Sequence, residues 1–286
     1  GCIFPGGIQM LKQLLKYEFK ATGRTYGGLY LALVALAVLS GFSLRSSSKD
    51  DFASLLLFAY IIVAVAVAVV SVMTIVTRFT RNLLGREGYL MHTLPVSNAQ
   101  LILAKLIPSI VWVLCSIVVV LLSFVLFSLF GTLNSAAVSE FFHAFSRYGS
   151  EIGKLLSSVI KGYGVTLVLM VLEWLASLTC SILCIYTACM IGHWCKKYFV
   201  AVSIAAFVVL NVLQNQLLNL LPYNTTNTGL DLVFSTSAGD GSIVYTVTGN
   251  KTYLWAVLAA LAADLVLCAV YFTATSWLMK NKLDLE

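Results

Sequence analysis

The sequence predicts an all-α membrane protein: six transmembrane helices preceded by an amphipathic helix lying in the membrane interface. Three observations predict it. Only 10% of the 286 residues are charged and 60% are hydrophobic, whereas a soluble domain carries about 25% charge. Six almost charge-free runs reach the roughly 20 residues that a spanning helix needs. The runs lack the polar–apolar alternation of a membrane barrel, and backbone groups in lipid must then be satisfied within helices.

In chain order, residues 1–9 read as a leader or an added extension, since "GCIFPGGIQ" has neither a cation nor an apolar core of useful length. Residues 10–23 form the amphipathic helix. Leu11, Leu14, Leu15 and Phe19 share one face, and Lys12, Lys16 and Lys20 form a stripe beside it at i, i+4 spacing. Such a helix rests its apolar face on lipid and turns its lysines to phosphate. Glu18 falls within the apolar face and needs a cation there; the helix is either a plain anchor or a lever touching a cytoplasmic partner.

The expected spans are 26–44, 52–77, 106–133, 162–192, 198–221 and 252–279. The short "RSSSKDD" makes the first two a hairpin. Between spans 3 and 4, Phe141, Phe142, Phe145, Tyr148, Ile152, Leu155, Leu156 and Val159 recur at helical spacing. They predict a separate outer amphipathic helix over 138–161, broken near Gly149 or Gly153. The 222–251 segment is polar and glycine-rich, and its "GSIVYTVTGNKTY" predicts a short hairpin turning at Gly249-Asn250.

The basic residues orient the bundle. Lys12, Lys16, Lys20, Arg24, Arg78, Arg81, Arg86, Lys105, Lys196, Lys197, Lys280 and Lys282 fall on one side. Arg45, Lys49, Arg147, Lys154, Lys161 and Lys251 fall on the other. The richer side is cytoplasmic by the positive-inside rule, so both termini are expected in the cytoplasm of a multi-pass plasma-membrane protein. The net charge of +6 then reflects topology and contact with anionic lipid. It is no nucleic-acid footprint, which would need clustered cations on a soluble face.

No catalytic chemistry is legible. The phosphate-cradling pattern G-x-x-x-x-G-K-[ST] is missing, as are H-E-x-x-H and G-x-S-x-G. His92, His143 and His193 lie at or near different membrane faces. Cys180 and Cys184 are one helical turn apart, but two thiolates without further ligands make a poor zinc site and read as small packing residues. The chain is therefore expected to be no enzyme, with neither cofactor nor metal of its own.

Polar residues inside spans are costly and face protein or water. Glu173 in span 4 and Asp264 in span 6 belong either to a substrate or proton path or, the favoured reading, to buried acids bonded to a neighbouring hydroxyl. In span 5, Asn211, Asn215 and Asn219 repeat at i+4 with Gln214 beside them. That stripe lines a path or bonds to neighbouring helices, where amides also serve.

Residues 78–105 form the most punctuated cytoplasmic segment. In "LLGREGYLMHTLPVS", Gly85 and Gly88 permit turns, Arg86 and Glu87 stay wet, and Tyr89, Leu90 and Met91 offer an apolar patch. Pro95 stops the element, and Ser97 or Asn98 caps the next helix. A passive connector needs no such surface; a docking element does.

"GREGYLMHTLPVSNAQLILAKL" resembles the segment between helices 2 and 3 of bacterial ABC-2-type permeases, the membrane subunits of ABC exporters. The resemblance rests on Glu87, Gly88 and Tyr89, on Thr93-Leu94-Pro95-Val96-Ser97, and on Lys105 in the following helix. "LLKYEFKATGR" is similar to the interfacial helix of the same family, and the six-span topology fits it. The extended outer helix departs from many relatives.

The resemblance implies an ABC-2, type V exporter-like architecture. Two permease subunits, identical or paralogous, would pair with two cytoplasmic ATPase subunits that bind ATP and Mg. The coupling helix would carry Arg86, Glu87, Gly88, Tyr89, Leu90, Met91 and Pro95, and spans 2 and 5 would line the path at the subunit interface. Competing readings are an ATP-independent secondary transporter or channel, which should show inverted repeats with interrupted helices, and a non-transporting scaffold or sensor.

Overall fold

The computed structural model describes residues 7–45, 51–81, 98–132, 135–194, 198–219, 232–236, 243–247 and 251–282. Its helices are α1 (Gly7–Arg45), α2 (Asp51–Phe79), α3 (Asn98–Thr132), α4 (Ser135–His193), α5 (Phe199–Asn219) and α6 (Lys251–Lys282). Each contains a stretch long and apolar enough to cross a membrane, giving six candidate spans. Their outward faces carry large apolar residues, among them Phe58, Val69, Leu121, Val168 and Val209, as lipid-facing helices do.

Three expectations about element limits are corrected. The amphipathic segment and the first span are one helix, α1, unbroken over 39 residues. No proline interrupts Gly23–Gly28, and neighbouring packing holds this stretch. Tyr26 is buried and stacks on Trp112 of α3 with ring centroids 4.7 Å apart, while the Thr22 hydroxyl donates to the Glu18 carbonyl. At 1.5 Å per residue α1 is about 58 Å long, roughly twice the hydrocarbon thickness.

The outer amphipathic helix and span 4 are likewise one helix, α4, of 59 residues. Gly149 and Gly153 lie in it without a break, and nothing stands within 4 Å of where a Cβ would be. Nevertheless α4 is not a straight rod. The Ser109 hydroxyl is 3.1 Å from the Tyr186 hydroxyl, which sets the level of α4 against α3. From there α3 runs about 35 Å to Thr132 and α4 about 77 Å to Ser135. Three Cα steps cover at most about 11 Å, so α4 bends on the N-terminal side of Tyr186.

The third correction concerns the polar segment before α6. Strands β1 (Leu232–Thr236) and β2 (Ile243–Val247) pair antiparallel, Leu232 opposite Val247 and Thr236 opposite Ile243. The pairing joins the strand ends Thr236 and Ile243, so the expected turn at Gly249-Asn250 is not the one that connects this hairpin.

The helices pack as two triplets. In each, the first helix packs against the second and third: α1 on α2 and α3, α4 on α5 and α6. Leu33, Ala37, Tyr60 and Val67 form a core within the first triplet. A larger core joins the triplets, with Ile75 and Phe79 of α2, Ile102 of α3, Leu183 and Tyr186 of α4, and Tyr271 and Met279 of α6. Tyr186 is its keystone: its ring stacks on Phe79 at 4.2 Å, and its hydroxyl meets Ser109.

Hydroxyl pairs hold helices together elsewhere. Tyr30 meets Ser116 at 2.7 Å, Tyr60 meets Ser123 at 3.1 Å and Thr187 meets Thr275 at 3.0 Å. Small residues allow closer approach. A Cβ on Gly41 would lie 2.7 Å from the Phe127 carbonyl oxygen, and one on Gly192 would lie 2.9 Å from that of Phe199.

Candidate functional site

The best-defined polar site lies where α1, α2 and α3 meet. Glu18 of α1 receives Lys105 of α3 on Oε1 and Arg78 of α2 on Oε2, the latter at 3.5 Å. The Lys105 and Glu18 side chains are only 5% and 13% exposed, so solvent screens this pair weakly. Arg78 is more open at 29%. Helix geometry makes the node possible: Glu18 and Thr22 share a face with Tyr26, and that face packs on α3. Lys16, Lys20 and Arg24 point the other way and are exposed; Lys12 lies in the same helix.

A cavity of about 20 Å³, the size of one water, adjoins the node between Thr22, Thr74, Pro108, Ser109 and Trp112. The buried Trp112 indole N–H has no protein partner.

Arg78 lies one residue before the end of α2, and Lys105 two turns into α3. One carboxylate on α1 thus binds both flanks of residues 82–97. That segment, with Arg86, Glu87, Gly88, Tyr89, Leu90, Met91 and Pro95, lies outside the described residues.

The amides of α5 separate into different environments. Asn211 is half-buried and donates to the Phe207 carbonyl at 3.0 Å, with the Cys184 sulfur at 3.8 Å. Gln214 is half-buried and accepts from the Tyr271 hydroxyl at 3.5 Å. Asn215 is exposed, as is Gln216 beside it; Asn219 is the last residue of the helix. So Asn211 and Gln214 act as interhelical contacts, and Asn215 alone of the three presents its amide outward. Next to this helix, α2, α4 and α5 enclose an open apolar groove of about 320 Å³ lined by Met73, Val76, Ala188, Cys189, Ser203 and Phe207 among others.

The two intramembrane acids come together. Asp264 of α6 is buried, with Ser177 of α4 as its hydrogen-bonding neighbour, and Glu173 of α4 is within electrostatic reach of it. Among the described residues no group of His, Cys, Asp and Glu could hold a metal ion. His143 is exposed, and Cys180 and Cys184 are buried in the core as free thiols.

No family model matches the chain, and no curated protein or solved structure is significantly similar to it.

The sequence marked Glu18 as an acid in need of a cation, Arg78 only as a topological charge, and Lys105 as a topological charge and a residue of the resemblance, without pairing any of them. Their convergence depends on the crossing of three helices, which no local pattern encodes. Trp112 and Tyr26 were hidden for another reason: aromatics near span ends read as interface anchors, and only the stacking shows them as inter-helix packing.

Proposed function

We propose that this chain is the transmembrane permease subunit of an ATP-driven exporter of the ABC-2 type. It would act as a dimer of identical or paralogous subunits coupled to separate ATPase subunits. One observation carries the reading: Glu18 ties α1 to both flanks of residues 82–97. A partner docked on that segment would act on α1, α2 and α3 together, as an ATPase subunit must. The apolar groove between α2 and α5, and the outward amides of Asn215 and Gln216, suit a pathway or subunit interface along those two helices. Exposed amides in lipid need a partner, which a second subunit or cargo would supply.

The test is co-purification of the ATPase subunit and cargo-stimulated ATP hydrolysis with Tyr89→Ala and Glu87→Arg. A buried aromatic anchor at an interface is worth about 2 kcal/mol or more, so Tyr89→Ala should lower ATPase retention at least tenfold while the chain still inserts. Full retention of both properties in both variants removes the coupling role.

One observation favours an ATP-independent transporter instead. The two helix triplets repeat the same packing order, and a three-span unit followed by another places them in opposite membrane orientations, as in inverted repeats. Transport by the purified chain in proteoliposomes without ATP would decide for that reading.

A further inference from the structure

The acids of α4 and α6 form a site that the coupling mechanism does not use. Two contacts pin these helices together: near the acids the Cys268 thiol donates to the Ala176 carbonyl at 3.5 Å, and further along Thr187 meets Thr275 at 3.0 Å. Both helices run the same way through the bundle, so one turn before the first contact brings Glu173 level with Asp264. The spans agree. Glu173 lies nine residues into the span Gly164–His193, and Asp264 ten residues into Leu254–Lys280. Both are then about 14–15 Å along their spans, inside the hydrocarbon layer.

Asp264 is 3% exposed and its Oδ1 has no hydrogen-bond partner. The Ser177 hydroxyl stands beside it, one helical turn from Glu173 on the same face of α4. Besides Glu173, the titratable groups that face Asp264 are Cys180 of α4 and Cys268 of α6, both in electrostatic contact with it. Among the described spans no lysine, arginine or histidine lies at this depth: Lys105 and Arg78 stand at the far ends of α3 and α2, and Lys280 closes α6.

An ionised Asp264 would thus be a bare negative charge beside a second acid in a low-dielectric environment, at a cost of several kcal/mol. Something positive must sit on it. Among the described residues no group of His, Cys, Asp and Glu is placed to hold a metal ion. A proton needs no such group.

We propose that Asp264 is an intramembrane proton-binding site whose proton exchanges through Glu173. The acceptor is Glu173 in its carboxylate form: as the proton passes over, Asp264 becomes the carboxylate and Glu173 the neutral acid, so the transfer itself leaves the charge of the pair unchanged. The charge falls by one when the proton passes on to water. Glu173 is the more open of the two, which suits it to the outer step. Proton occupancy of a site clamped between α4 and α6 would bias the packing of the second triplet independently of any ATPase.

Infrared difference spectroscopy on the purified full chain in lipid nanodiscs, with no ATPase present, tests this apart from the coupling proposal. The expected result is a protonated-carboxyl C=O band that diminishes as pH is raised and disappears in Asp264→Asn. Ser177→Ala should move the band to higher frequency by removing a hydrogen bond. Glu173→Gln should keep the band and slow its shift on transfer to deuterium oxide. Folding of each variant is checked by helical circular dichroism and elution as a single species. The proposal is overturned if no such band exists, if it persists unchanged at every pH and in deuterium oxide, or if it vanishes in Glu173→Gln and survives in Asp264→Asn.

Discussion

Removing Glu18 should be worse than removing either cation it binds. At 3.5 Å and an effective dielectric constant of about 20, the gross attraction between Glu18 and Arg78 is about 5 kcal/mol. Much of this is offset by desolvation, so the magnitude lies in what each truncation strands. Glu18→Ala removes the carboxylate that Lys105, 5% exposed, binds, and breaking a buried pair from one side costs about 3–5 kcal/mol. Lys105→Met fills the same volume and leaves Glu18 with Arg78, so it should cost markedly less. The double variant Glu18→Ala/Lys105→Met should fall short of the sum of the singles by about 1–3 kcal/mol, since both singles break the same pair. The assay is equilibrium unfolding in lipid nanodiscs followed by tryptophan fluorescence, with Trp112 bordering the node. Equal costs for the two single variants, adding without interaction, would refute the shared carboxylate.

Three further outcomes are expected. Gly41→Ala should destabilise by about 1–3 kcal/mol in the same unfolding assay, because the new methyl meets the Phe127 backbone carbonyl at 2.7 Å and backbone cannot rotate aside. Thr187→Val should cost only about 0.6 kcal/mol, the usual worth of a hydrogen bond between membrane helices, although its 3.0 Å contact with Thr275 is well formed. A cysteine replacing Ser47 should react with an impermeant thiol reagent outside intact cells and one replacing Asn82 should not; the reverse labelling would invert the orientation expected from the basic residues.

The existence of six spans was legible because it depends on composition and length alone. Where the helices end was less so. The amphipathic pattern ends at residue 23 and the apolar run begins at 26, and Gly23, Gly27 and Gly28 each weaken a helix by about 1 kcal/mol relative to alanine. The Tyr26–Trp112 stack and the Glu18 node, both between helices remote in sequence, hold the turn closed. At Gly149 and Gly153 α4 also passes through as helix, here with nothing within 4 Å of where a Cβ would be. The hairpin before α6 was legible in kind and misplaced in position. Gly249-Asn250 carries turn residues, but pairing the apolar runs Leu232–Thr236 and Ile243–Val247 satisfies more backbone groups. For the polar residues, type was readable and partner was not. The i+4 repeat in α5 is real, yet Asn211 and Gln214 face neighbouring helices and Asn215 does not. A periodicity gives a face without saying what stands opposite.

The C-terminal turn of α2 brings together the contacts that any force on residues 82–97 would load first. Arg78 reaches Glu18 on α1, and the next residue, Phe79, is fully buried against Tyr186 of α4. Adjacent residues on a helix point about 100° apart, so this turn can grip the first triplet with one side chain and the second triplet with the next. Lys105 and Ser109 repeat the arrangement on α3, one helical turn apart: Lys105 binds Glu18, and Ser109 meets the hydroxyl of the same Tyr186. Both flanks of the segment are therefore fastened to the same two anchors. The anchors differ in kind. The Glu18 node is ionic and sensitive to charge reversal, whereas the Tyr186 contact is a close-packed aromatic stack that resists separation because its dispersion contacts are lost within an ångström. Displacing residues 82–97 as a unit would carry α1 with them through charge and α4 through packing. Substitutions at Glu18 and at Tyr186 should therefore disturb different halves of the bundle.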